Sequence, residues 1–211
     1  SSVTGITVGS GSTMDSGTGT LTLVGTNKSV LAMTSGLRNG IYLNGAGGTI
    51  NINSTNSTSS AMNINGVEGL STTGSNIEGI NASGVTLNAG SGTINLKAKT
   101  QTYTGTAYTA GSVAFATNTG ATGLSLSLSS ETWSFSASSL STLLGTVGVT
   151  LNASSTANLS LTSNSTAGST SAGTGLITID EALSKTSGSA RTTLALNAYK
   201  DININASITS A

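Results

Sequence analysis

Proline, cysteine and histidine are absent from the 211-residue chain, and only seven basic and seven acidic side chains occur, for a formal net charge of zero. At average usage, about ten prolines and roughly fifty charged residues would be expected. Without cysteine there is no disulfide scaffold and no thiol chemistry, and without histidine as well the usual ligand sets for zinc and haem are missing. Zero net charge removes the basic footprint that phosphate binding requires, so nucleic acid is not an expected partner. Aromatics make up only 3% of the chain, too few for the girdles of a membrane β-barrel, and no run approaches the roughly 20 apolar residues of a membrane helix. Disorder is also excluded, because 36% of residues are hydrophobic and mean hydropathy is +0.15 in a nearly uncharged chain.

What is abundant is small and polar: 74 Ser and Thr, 28 Gly and 19 Asn. Against this background, apolar residues alternate with polar ones in short runs closed by Gly, Ser or Asn, which is the strand signal. Six runs share one form, apolar, polar, apolar, Asn, small: Ile41-Tyr42-Leu43-Asn44-Gly45, Met62-Asn63-Ile64-Asn65-Gly66, Val85-Thr86-Leu87-Asn88-Ala89, Val149-Thr150-Leu151-Asn152-Ala153, Leu194-Ala195-Leu196-Asn197-Ala198 and Ile202-Asn203-Ile204-Asn205-Ala206. A recurring unit points to one element stacked many times, and Asn repeated at one position can stack its amides into a ladder. The reading is an all-β chain, a single β-solenoid segment over residues 1–211. At 20–25 residues per coil it would hold about nine or ten coils. A sandwich or jelly roll is the competing architecture. The structural Asn ladder is assigned to Asn44, Asn65, Asn88, Asn152, Asn197 and Asn205.

Continuous stacking also gives proline's absence a reason, since proline cannot donate to an inter-coil ladder. The pattern weakens over residues 121–148, expected to be irregular or protruding, with Ser138 to Leu144 open to strand or a helical turn. Trp133 and Phe135 share a face there; they are read either as core or as a contact patch.

Catalytic groups do not assemble in the sequence. The acids are Asp15, Glu68, Glu78, Glu131, Asp180, Glu181 and Asp201. The one adjacent pair, Asp180 and Glu181, points to opposite faces if the strand continues through it. Ser184-Lys185 is a neighbour pair without further support, and the glycine-rich stretches lack the lysine and helix of a phosphate loop. No catalytic, cofactor or metal site is expected. Eight Asn-x-Ser/Thr sequons occur, but the Ser and Thr content predicts roughly seven by chance.

The stretch from Ile179-Asp180-Glu181-Ala182-Leu183-Ser184 through Leu194-Ala195-Leu196-Asn197-Ala198 to Asp201-Ile202-Asn203-Ile204-Asn205-Ala206 resembles the repeat region of filamentous-haemagglutinin-type and high-molecular-weight adhesins, which are exported by two-partner secretion. Val85 to Lys97 carries the same pair of motifs in weaker form. The resemblance implies a right-handed parallel β-helix shaft, extracellular and displayed on a bacterial surface, with cell-surface glycans or proteins as partners. That family's secretion domain carries Asn-Pro motifs, which a proline-free chain lacks, so an internal shaft segment or a separate subunit is expected. Neither residues 1–10 nor 204–211 present a charged or proline-bearing cap, so neighbouring repeats or further copies of the chain are the other expected partners, through open solenoid ends. A self-polymerising filament subunit is therefore the second functional reading, and a carbohydrate-active β-helix enzyme the third.

Overall fold

The computed structural model describes residues 4–28, 38–68, 77–163, 167–185 and 191–210. The chain winds as a parallel β-solenoid, with three strands in each of the first four coils and in the last among the described residues. The first coil comprises β1 (Ile6–Gly9), β2 (Thr13–Asp15) and β3 (Leu21–Thr26), and the second β4 (Ile41–Asn44), β5 (Ile50–Asn53) and β6 (Met62–Val67). The third is β7 (Ile80–Ser83), β8 (Val85–Asn88) and β9 (Thr93–Lys97), and the fourth β10 (Thr100–Thr104), β11 (Ala107–Thr109) and β12 (Ser112–Ala116). In the fifth, β13 (Gly123–Leu128) and β14 (Thr132–Ser136) are followed by a helix, α1 (Ala137–Leu144). The sixth carries β15 (Gly148–Ala153), β16 (Asn158–Thr162), β17 (Ala167–Ser169), β18 (Leu176–Ile179) and β19 (Leu183–Lys185), and the seventh β20 (Leu194–Ala198), β21 (Asp201–Ile204) and β22 (Ile208–Ser210).

Stacking produces one wall of seven strands, β1-β4-β7-β10-β13-β15-β20, a second of nine, β2-β5-β8-β11-β17-β14-β16-β18-β21, and a third split into β12-β9-β6-β3 and β19-β22. Among the described residues every pairing is parallel except the two made by β17. Alternation sets which side chains stack: inward positions of the first wall form the column Ile6, Ile41, Ile80, Gln101, Leu126, Leu151, Leu196. Successive members are 35, 39, 21, 25, 25 and 45 residues apart. Because these coils run to 21–45 residues, the first wall holds seven strands among the described residues rather than the nine or ten coils that even spacing of about 20–25 residues predicts.

Gln101 is the one polar member of that column and is fully buried. Its amide donates to the carbonyls of Leu96 and Ala98 at 3.3 and 3.2 Å and accepts from the Tyr103 hydroxyl at 2.9 Å, which satisfies it without water. The stretch at 121–148 is ordered as β13, β14 and α1. The helix begins where the Ser136 side chain accepts from the Ser139 N–H and buries Ala137, Leu140 and Leu144 along one stripe. It stands where the other coils place a third strand, which is why the third wall is split.

Candidate functional site

Trp133 and Phe135 do not form a surface patch. They are inward residues of β14, with 1% and 4% of their surface exposed, and belong to the core. Trp133 lies 4.5 Å from the Tyr103 ring, 5.0 Å edge-on from Tyr108 and 6.0 Å from Phe135, which in turn meets Phe115 at 4.6 Å. Five of the seven aromatics are thus gathered in the fourth and fifth coils, where β17 and α1 interrupt the regular stack. Large rings fill the interior that short aliphatics fill elsewhere.

The six asparagines do not form one ladder, because one local motif recurs on different walls and at different registers. Asn152 and Asn197 are a true rung: the Asn197 amide donates to Asn152 Oδ1 at 2.7 Å, and Asn152 donates to Ser127 Oγ at 3.1 Å. Asn44 shares their wall but pairs with Gly9 and Ser83 in another column, and its side chain accepts from the Ala46 N–H. Asn88 is on the second wall and closes a turn by accepting from Gly90. Asn65 is on the third wall, with Oδ1 buried and unpartnered, and Asn205 follows β21 and donates to Asp180. A second rung joins Asn95 to Asn63 at 3.0 Å, with Asn63 donating onward to Thr22 at 3.5 Å. These residues lie between the apolar positions, where the sequence motif did not direct attention.

Among the described residues no group of three or more acidic side chains could hold a metal. Ser184 and Lys185 lie on β19, where the Ser184 hydroxyl accepts from Thr209. Glu131 is the carboxylate the fold treats most distinctively. It is fully buried at the corner between β13 and β14 and accepts backbone N–H bonds from Gly105, Ser129 and Ser130 at 2.8, 3.0 and 2.9 Å. Its role is to tie the corners of two coils together. Burial outweighs those bonds and holds its pKa above the ordinary 4.5. The folded chain therefore binds this proton more tightly than the unfolded chain, so the associated stability is fully present below pH 4.5 and is lost as pH rises through the folded pKa. Glu68 shifts in the same direction, again chiefly through burial. Melting temperature, followed by circular dichroism, is expected to fall as pH rises from 4.5 through the folded pKa, with a flatter profile in Glu131→Gln. An unchanged slope in that variant would remove Glu131 as the cause.

A second polar corner lies where the chain enters the first wall. Arg38 and Asn39 are buried there, and neither side-chain polar atom of Asn39 has a hydrogen-bond partner. The charge of Lys99 partly offsets the burial that raises the Glu68 pKa.

The most exposed apolar feature is the last coil. In the second wall an inward column runs Met14, Ile52, Leu87, Tyr108, Gly168, Trp133, Leu159, Ile177, Ile202. Ile177 and Ile179 are fully buried, yet their partners Ile202 and Ile204 are 43% and 56% exposed, and Ile208 above Leu183 is 46% exposed. The core thus ends in an uncovered row on an unpaired strand edge. At the opposite end, Ile6, Val8 and Met14 are only partly buried against the core. No family model, curated protein or solved structure matches the chain.

Proposed function

We propose that the chain is a non-enzymatic structural and adhesive segment of a bacterial extracellular surface fibre. The observation that carries this reading is the last coil, whose inward isoleucines continue the core columns and lie uncovered beside unpaired backbone groups. Such an edge accepts one kind of neighbour well: another coil, with inward apolar side chains at the same register. The scattered carboxylates and the small polar coat support a shaft rather than a catalyst. Among the described residues no helix is long and apolar enough to cross a membrane. Immunogold labelling of the producing bacterium with antibodies to this chain is expected to decorate filaments outside the cell; label confined to the cytoplasm would overturn the reading.

The shared strand direction of the first and last coils supports a second reading, a subunit that polymerises head to tail. Here β1, β2 and β3 of one copy seat on β20, β21 and β22 of the next, which preserves strand direction in all three walls. Electron microscopy of the purified chain separates the two, since long fibres support the polymer and short particles of uniform length leave the shaft segment.

A further inference from the structure

The geometry points to a binding cleft for an acidic oligosaccharide on the side of the solenoid, between Lys99 and Arg191. The cleft has a volume of about 640 Å³ and crosses the starts of β10, β13 and β15. Thr100, Ser125 and Thr150 line it, and the register stacks them one above another. All three are half-buried and alternate with buried Gln101, Leu124 and Val149, so they face outward. They therefore present hydroxyls at strand spacing, about 4.8 Å, along the solenoid axis.

Lys99 immediately precedes β10 and Arg191 precedes β20. Those strands are three spacings apart, about 14 Å, so the two cations bracket the hydroxyl row. They are two of only seven basic residues, and no acidic residue lines the cleft among those described. Glu68, which attracts Lys99, is not part of the lining.

This combination selects a ligand class. Each Ser or Thr hydroxyl both donates and accepts, as sugar hydroxyls do, and a row at fixed spacing suits a linear chain lying along the axis. The two cations require negative groups on that chain, and the arginine fork fits a planar carboxylate best. With no aromatic ring in the lining, a neutral sugar has no stacking surface and would be held weakly. The ligand class rests on the adhesive part of the proposed role, and a fibre that assembles yet binds no glycan fails this inference alone.

The test is calorimetric titration of the 211-residue chain with an oligogalacturonate, a neutral galacto-oligosaccharide of equal length, a sulfated oligosaccharide and a poly-glutamate peptide. Binding of the uronate, lowered about tenfold by Lys99→Ala or Arg191→Ala and unaffected by Lys200→Ala, is the expected result. Binding of the sulfated sugar alone would assign the anion as a sulfate ester within the same class. Equal binding of the neutral sugar or of the peptide, absence of binding to either acidic sugar, or unchanged affinity in both cleft variants would overturn the proposal. Circular dichroism establishes that each variant is folded.

Discussion

Charging the uncovered row of the last coil, by Ile202→Lys with Ile204→Lys, is expected to abolish association of the purified chain while leaving its fold intact. Both positions sit above fully buried isoleucines and lie on the inward face, so any coil added to this end would enclose them. Fully burying an exposed apolar side chain contributes about 1.5–3 kcal/mol, and since Ile202, Ile204 and Ile208 are each close to half exposed, enclosing all three supplies about 2–4 kcal/mol toward coil addition. A lysine in either place replaces that gain with an unpaired ammonium that the incoming coil must desolvate. Association should weaken by roughly three orders of magnitude or more, since each 1.4 kcal/mol is a factor of ten. Because the side chains are now exposed, the isolated chain should tolerate the change. Sedimentation velocity is expected to give oligomers for the unaltered chain and monomers for the double variant, with superimposable circular dichroism. Continued association of the variant would place the contact elsewhere, and monomers in both cases would remove the head-to-tail polymer.

The parts of the architecture readable in advance were those set by local alternation. All six quoted runs fall on strands, because a period of two commits a segment to one inward face wherever the coil places it. The coil count was not local. It depends on how many residues lie between one inward position and the next, and the chain varies that from 21 to 45. The strand β17 was beyond reach for a related reason: Ala167-Gly168-Ser169 carries no alternation, and its place is defined by Tyr108 and Thr109 of β11 and Thr132 and Trp133 of β14, which belong to separate coils. The asparagines show the converse limit, since identical local motifs landed on three walls and only one predicted pair met. The cleft could not be foreseen either, because Lys99 and Arg191 come to line one cleft only through the stacking of β10, β13, β15 and β20. The helix was half visible, as Ala137, Leu140 and Leu144 have helical spacing but sit among serines that also suit a strand.

Trp133→Ala is expected to be the most destabilising single truncation in the core. Trp133 stacks in its column between Gly168 and Leu159 with only 1% of its surface exposed, and three other rings pack around it. Its Nε1–H donates to the Thr106 carbonyl at 2.7 Å, so truncation both opens a cavity and orphans a buried acceptor. Removing a buried tryptophan costs about 3–5 kcal/mol, a large share of the roughly 5–15 kcal/mol that holds a domain folded. Trp133→Phe retains most ring contacts and loses the N–H bond, so about 1–2 kcal/mol is expected. Gly168 supplies an internal check on the geometry. A Cβ there would stand 2.3 Å from the Tyr108 ring and 2.6 Å from Trp133 Cδ1, so Gly168→Ala alone should also be strongly destabilising. Part of that clash vanishes when Trp133 is truncated, so the two changes together should cost less than their sum. Urea unfolding monitored by circular dichroism measures the unaltered chain and all four variants. If Trp133 were instead a surface contact residue, its truncation would change stability by no more than about 0.5 kcal/mol and the pair would be additive, so either result would contradict the buried column.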